Sequence, residues 1–216
     1  MADFGIYRII DYIGKNTYYI LIQKSVTVDA LEWQVTKKLT YDKQKNEVKI
    51  MTDNFEFRSI HPDEVEQAIA IEQICFPPNE ACSPKAMTER IAKVPQLFLV
   101  AVDKSTGKLA GFLNGVATDE EKFRDEFFTD IDLCDENGKN VMLLGLDVLP
   151  EYRGQGLARE LVHRYSRRER ANGRKKLFLT CLEQKVEMYK KFGLQDLGIA
   201  DSTWGGEEWH EMVLKG

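Results

Sequence analysis

Residues 141–170, VMLLGLDVLPEYRGQGLARELVHRYSRRER, join an apolar run to an amphipathic one through a proline and two glycines. The unbroken apolar run from Val141 to Leu149 predicts a buried strand, and Pro150 ends it. From Leu157 to Arg170 the residues Leu157, Leu161, Val162 and Tyr165 share one stripe of a helix, with arginines gathered toward its C-terminal end, where cations suit the dipole. A strand that becomes a helix through Gly154 and Gly156 leaves a row of backbone N–H groups without partners at the helix start. Neither glycine carries a Cβ, so a ligand can approach the main chain, and Ala158 keeps the first turn thin. Arg153 adds a cation at the rim, and the macrodipole contributes about half a positive charge. The stretch therefore predicts an anion site. It is not a nucleotide-hydrolase loop, because Leu157-Ala158 stands where Lys-Ser/Thr is needed. Nor is it a dinucleotide fingerprint, because Arg159 stands where the third glycine belongs.

Arg153 to Ala158 matches the Arg/Gln-x-x-Gly-x-Gly/Ala signature of the GNAT superfamily of acetyl-CoA-dependent N-acetyltransferases, preceded by Val-x-Pro-x-Tyr at Val148 to Tyr152. Lys176 to Cys181 is a second apolar strand, and Val186 to Gly193, VEMYKKFG, resembles the element that closes the same family's site. From Val148 to Gly193 the chain resembles the arylalkylamine (serotonin) N-acetyltransferase branch. Phe76 to Ala81, followed by Cys82-Ser83-Pro84, resembles the first inter-helix loop of that branch's microbial members. The resemblance runs from Phe55 to Leu214 and does not reach the first fifty residues. It implies an α/β (α+β) fold, a mixed and mostly antiparallel central sheet flanked by helices, with acetyl-CoA as co-substrate. It implies that the main chain of Leu146, Asp147 and Val148 meets the thioester and pantetheine, that Arg153, Gly154, Gln155, Gly156, Leu157, Ala158 and Arg159 surround the phosphates, and that the Tyr189 hydroxyl stands near the CoA sulfur.

With 216 residues, 43% hydrophobic and 30% charged, the chain can bury one substantial core and a small second unit. Its four cysteines, at 75, 82, 134 and 181, show neither metal-like pairing nor a dense disulfide framework. No segment is long enough to span a bilayer and the start is polar, which predicts a cytoplasmic protein without membrane or metal. A net charge of −5 argues against a nucleic-acid partner and for cationic substrates.

Two regions follow from the patterning: a β-rich extension at 1–53 and an alternating body at 54–216. Ile6–Ile13, Thr17–Gln23, Leu31–Tyr41 and Glu47–Met51 predict a meander, which would serve as a sheet extension, a homodimer surface or a docking module. In the body, a strand from Phe55 to Ile60 precedes a helix starting at Pro62, with Asp63 and Glu64 in its first turn. Ser83-Pro84 caps a second helix that places Met87, Ile91 and Val94 on one face. Leu97–Val102 and Leu109–Val116 form a hairpin around the Asp103–Gly107 turn.

Acetyl transfer to an amine makes definite demands. An alkylamine with a lysine-like pKa of about 10.4 must lose a proton before it attacks, at a cost of about 4 to 5 kcal/mol at neutral pH. The oxyanion then wants N–H donors, and the departing thiolate wants a proton. Tyr189 is the candidate at the thiol, on a helical stripe with Val186 and Phe192; without the resemblance such a tyrosine is simply core. Animal members of the branch carry two histidines where this chain has Met142 and Leu144, so a base, if the chain uses one, comes from elsewhere; water-mediated deprotonation and uptake of the minor neutral amine are the alternatives. Glu80, His61 and Asp147 are the candidates. Their plain alternatives are a turn cap, a residue before a helix and a solvent-facing carboxylate.

Nine acidic residues between Asp119 and Glu136, interleaved with Phe123, Phe127, Phe128 and Ile131, predict a solvated helical insertion with one apolar face, or else an acidic lid drawing cations in. The cluster Arg164, Arg167, Arg168, Arg170, Arg174, Lys175 and Lys176 suits screening of CoA phosphates better than binding nucleic acid, against a default of a solvated face. Trp33, Trp204 and Trp209 are most simply packing residues, although Trp204 sits in a final hairpin that could border an acceptor pocket. The leading reading is an acetyl-CoA-dependent N-acetyltransferase acting on a small arylalkylamine or polyamine-like amine. The others are a protein or peptide N-acetyltransferase, which needs an open groove, and a CoA-binding protein without turnover.

Overall fold

The computed structural model describes residues 4–10, 17–23 and 53–215. The chain forms two compact units, Met1–Lys49 and Ile50–Gly216. In the first, β1 (Phe4–Ile10) pairs antiparallel with β2 (Thr17–Gln23), Phe4 opposite Gln23 and Ile10 opposite Thr17. The strands expected at Leu31–Tyr41 and Glu47–Met51 lie outside the described residues.

The second unit is built on a seven-stranded sheet of order β3-β4-β5-β6-β7-β9-β8. Its strands are β3 (Phe55–Arg58), β4 (Phe98–Asp103), β5 (Lys108–Thr118), β6 (Asn140–Val148), β7 (Lys176–Cys181), β8 (Gln195–Ile199) and β9 (His210–Lys215). Every adjacent pair is antiparallel except β6 and β7, which run parallel. The helices are α1 (Val65–Cys75), α2 (Pro84–Lys93), α3 (Leu157–Ala171) and α4 (Glu183–Lys191). The expected α/β architecture with a mostly antiparallel, helix-flanked sheet is thus the observed one.

Strand alternation sorts the helices. On β4, Leu99 and Ala101 join the α3 stripe of Leu157, Leu161, Val162 and Tyr165 on one face, while Phe98, Val100 and Val102 meet Ala68 and Ile71 of α1 and Met87 and Ile91 of α2 on the other. Ser83 caps α2 as expected, its Oγ accepting from the Ala86 N–H at 3.2 Å. The helix expected from Pro62 begins as a 3-10 turn, Pro62–Glu64, and becomes α1 at Val65. Leu161 is completely buried at the centre of the α3 face. Leu161→Ala should therefore cost about 2 to 5 kcal/mol, read as a lower urea midpoint of a protein that still folds.

The acidic segment departs from the helical reading. It forms two 3-10 turns, Asp125–Phe128 and Ile131–Leu133, although Phe123, Phe127 and Ile131 are buried as their spacing suggested. Asp130 accepts the Asp132 N–H at 2.9 Å, a local bond that competes with a continuing helix.

Candidate active site

β6 and β7 pair only at their beginnings, from Asn140 opposite Lys176 to Met142 opposite Phe178. Beyond Met142 the strands diverge, leaving the main chain of β6 without a partner on that side. The register on the β5 side also slips: Asn114 faces Gly145 and Gly115 faces Leu143, so Leu144 is the extra residue of a bulge. Divergence and bulge together open a cleft of about 790 Å³ through the sheet, with Leu143 to Leu146 on one wall and Leu179 to Leu182 on the other.

The predicted anion loop forms one end of this cleft. Gly154 (φ 73°) and Gly156 (φ 82°) both occupy the left-handed region, and a Cβ on either would meet nothing within 4 Å, so the space over the loop is open. The Arg153 N–H is spent on the Pro150 carbonyl, and the next N–H with a backbone partner is that of Glu160, on Gly156. Among the described residues, the N–H groups of Gly154 to Arg159 have no backbone acceptor, which makes them an array for an anion. Gly154, Gly156, Leu157, Ala158 and Arg159 line the cleft. Gln155 does not; its side chain donates to the Glu151 carbonyl at 3.0 Å, leaving only its main chain for a ligand.

Arg153 lies on the cleft wall, but its Nε is fixed on the Val148 carbonyl at 2.8 Å. Arg159 and Lys185 are the other cations lining the cleft, Lys185 from the first turn of α4. The expected screening cluster lies elsewhere. Its members on α3 lie from about 10 Å (Arg164) to about 20 Å (Arg170) along the helix from the loop. Several are also spent internally: Arg168 donates to the Phe98 carbonyl and pairs with the buried Glu169, Arg170 donates to the Lys215 carbonyl, and Lys176 pairs with Glu121.

Tyr189 reaches the cleft from α4, half-buried, its ring edge-on to Phe192 with 5.9 Å between centroids. Burial, reinforced by the nearby Cys181 and Asp147, raises its hydroxyl above the ordinary tyrosine value, so it remains a proton donor at neutral pH. The opposite end is aromatic and acidic. Phe128 and Trp204 stack with centroids 4.8 Å apart, beside Phe76, Pro77 and Glu80. Trp204 Nε1 donates to the Glu80 carbonyl at 2.9 Å, Asn79 Nδ2 to the Gly205 carbonyl at 2.8 Å, and Trp209 Nε1 to the Trp204 carbonyl at 2.8 Å. These bonds lace the loop after α1 to the turn Trp204–Gly206 and close that side of the cleft. Trp204 does border the pocket, from a 3-10 turn in the connection of the final β8–β9 hairpin.

The three base candidates fare differently. His61 is exposed on the turn before α1 and does not line the cleft. Glu80 does, and burial, with Glu207 nearby, raises its carboxyl above the usual range. Asp147 is not the solvent-facing carboxylate of the plain reading: it is completely buried beneath the cleft floor, on the α1 side. Of the two positions where the resemblance set Met142 and Leu144 against histidines, Leu144 faces the cleft and Met142 is buried with Phe123 and Phe127. The sequence reading missed Glu72. This α1 carboxylate lines the cleft although it is only 4% exposed. Its signal was present: Ala68, Ile71, Glu72 and Cys75 form an i, i+3, i+4, i+7 stripe, and a carboxylate on a buried stripe needs a reason.

Residues 65–194, from the first turn of α1 to the end of the Tyr189 helix, match the Acetyltransferase (GNAT) family. The chain belongs to the GNAT acetyltransferase family. No curated protein matches this GNAT chain in sequence. Solved structures share its fold. The loading GNATL domain of CurA from Lyngbya majuscula superposes with a TM-score of 0.64 at 17% identity, over 74% of this chain and 97% of that one. The Sinorhizobium meliloti phosphinothricin acetyltransferase in complex with AcCoA gives 0.55 at 14%, over 75% and 88%. The Escherichia coli ribosomal-protein-S18-alanine N-acetyltransferase gives 0.55 at 19%, over 74% and 93%. Known GNAT relatives of this shape therefore act on acceptors from small molecules to proteins.

Proposed function

We propose that the chain transfers an acetyl group from acetyl-CoA to a primary amine, a small arylalkylamine or polyamine-like molecule, as the resemblance to the arylalkylamine branch implies. The observation that carries the reading is that one cleft joins the amide array of Gly154 to Arg159, the gap between β6 and β7, and a closed aromatic and acidic end. A diphosphate fits the first, with Arg153 and Arg159 beside it and Lys185 a further cation of the cleft. An extended pantetheine fits the gap, where β6 offers main chain that β7 no longer pairs. The amine fits the last, its cationic form drawn to Glu80 and to the Phe128 and Trp204 faces. The laced loops favour a small acceptor over a peptide, which needs an open groove.

The reaction follows from these placements. The neutral amine attacks the thioester carbon, the oxyanion meets N–H groups of β6, and the carbon–sulfur bond breaks as Tyr189 gives its proton to the thiolate. Titration calorimetry with CoA and acetyl-CoA, then thiol release with a panel of aryl amines, polyamines and peptides, tests the proposal. Binding with turnover on small amines supports it. Binding with turnover only on peptides, or with none, overturns the acceptor or the enzymatic reading respectively, and no binding overturns the whole. Trp204→Ala should raise KM for the amine about tenfold, the loss of one cation–π and packing face, with CoA affinity unchanged.

A further inference from the structure

Beneath the cleft floor the structure brings Asp147 of β6 against Glu72 of α1, two carboxyl groups 75 positions apart in sequence, both buried. Neither oxygen of Asp147 has an N–H or hydroxyl donor among the described residues. The nearby polar groups are committed elsewhere. Asn114 turns its Nδ2 to the Gly145 carbonyl at 3.5 Å and its Oδ1 to Arg90 at 3.4 Å. Arg90 gives its other terminal nitrogen to the Phe128 carbonyl at 2.5 Å. The Cys75 thiol points at the Val148 carbonyl at 3.4 Å, also touches Arg153, and is the one weak donor within reach of Asp147. Glu72 differs from its neighbour in being held: its Oε1 accepts the Cys82 N–H at 2.7 Å. Space is tight as well. A Cβ on Gly145 would stand 3.0 Å from Asp147 Oδ2 and 3.6 Å from Glu72 Oε2, so both carboxyls converge on the glycine that follows the bulge.

Two buried carboxyls in contact, one of them with no donor beyond its neighbour and the weak Cys75 thiol, cannot both be ionised. One must carry a proton and give it to the other. We infer that Glu72 and Asp147 hold a single proton between them, and that Glu72, the member lining the cleft, takes the proton shed by the acceptor nitrogen once the carbon–nitrogen bond has formed. Asp147 touches no ligand and is a positioning residue. The inference rests on the transfer reading above for its second half only.

The charges around the pair agree with one shared proton. Arg90 on α2 supplies one buried positive charge, which the single negative charge of the pair balances. The other titratable groups facing it are neutral: Cys75 on α1 and Cys82 after it are both pushed up to about 11, chiefly by burial, and Tyr189 across the gap is raised. Burial, then the Glu72 charge, raises Asp147 well above the usual carboxylate range, and burial also raises Glu72, against the opposing Cys82 N–H. In the transfer step the balance is simple. The attacking nitrogen becomes cationic as it bonds to the acyl carbon, its proton passes to Glu72, and the thiolate leaves with the Tyr189 proton. Glu72 then loses its proton to solvent through the open cleft, and Tyr189 regains one.

Infrared spectroscopy of the full chain near neutral pH tests the shared proton without activity. A carboxylic-acid carbonyl band should be present and should vanish in Asp147→Asn, whose amide still donates to Glu72 and keeps the fold. Its absence from the unmodified chain, or its survival in Asp147→Asn, would overturn the pair. Glu72→Gln tests the proton acceptor. Glutamine still accepts the Cys82 N–H and can donate to Asp147, so a merely structural role predicts unchanged turnover. The inference predicts a fall in kcat of about a hundredfold, with CoA affinity and Tm unchanged. Glu72→Gln turning over as fast as the unmodified chain would remove Glu72 from the chemistry. Asp147→Leu adds a pH readout: with its donor gone, Glu72 should hold a proton to higher pH, moving the acid limb of kcat/KM upward, and Asp147→Asn should restore the limb. If the unmodified chain transfers no acetyl group, the function reading fails and the infrared result alone decides the pair.

Discussion

Replacing Gly156 by aspartate is expected to weaken CoA binding about a thousandfold while leaving Tm close to that of the unmodified chain. Gly156 is the N-cap of α3 at φ 82°, with open space where its Cβ would go. Aspartate tolerates the left-handed region better than most residues and is among the best N-cap side chains, because its carboxylate accepts N–H groups of the first turn. Those are the N–H groups of Ala158 and Arg159, the same donors a phosphate would use. The substitution therefore satisfies the helix and fills the anion site at once, with a negative charge set against the diphosphate. Losing two charge-assisted hydrogen bonds of about 1.5 to 3 kcal/mol each accounts for about 4 kcal/mol, a thousandfold in Kd. Gly156→Ala separates the two effects: the left-handed strain of about 1 to 2 kcal/mol lowers Tm, and CoA still binds. Calorimetry beside thermal melts reads both, and undiminished CoA affinity in Gly156→Asp would show that the amide array is not the phosphate site.

The loop was legible because its geometry is local. Pro150 fixes where the strand ends, and two glycines at 154 and 156 mark a left-handed turn before the helix, so β6 and α3 lie within a residue or so of the apolar and amphipathic runs. The same holds for β7, whose apolar run Lys176–Cys181 is the observed strand, and for α2, set by Ser83-Pro84. Asp125–Leu133 was misread because its apolar spacing suits a helix equally well, while aspartates bonding their own backbone break it into 3-10 turns. The cleft itself was illegible. It exists because β6 and β7 pair over three residues and then part, and strand divergence has no counterpart in either strand's own sequence. Glu72 went unseen for a related reason: its stripe was visible, but the partner that gives the carboxylate meaning lies on β6. Trp204 likewise meets Phe128 and Glu80 only through the folded loops.

Tyr189→Phe should lower kcat by about a hundredfold to a thousandfold and leave CoA affinity nearly unchanged, which is the signature of an interaction made only in the transition state. The hydroxyl is the only atom removed. The ring keeps its edge-on contact with Phe192 and its place against the core of β7, β9 and α3 residues, so α4 should stay where it is. What is lost is the hydroxyl proton of Tyr189; the Cys181 thiol beside it is held up to about 12 by burial and is a poor substitute as a donor. The pH dependence carries a sign. Burial raises the Tyr189 hydroxyl, so its protonated form, the active one for a donor, persists through the alkaline range where the amine becomes neutral. Activity in the unmodified protein should therefore keep rising with pH as the amine deprotonates, with no loss from Tyr189 until well above the ordinary tyrosine value. In Tyr189→Phe the thiolate must leave unassisted, and a poorer leaving group suffers most. Acetyl esters of thiols with lower pKa than CoA should recover much of the lost rate in the variant while gaining little in the unmodified chain. Equal acceleration of both proteins by the better leaving group would take the proton at sulfur away from Tyr189.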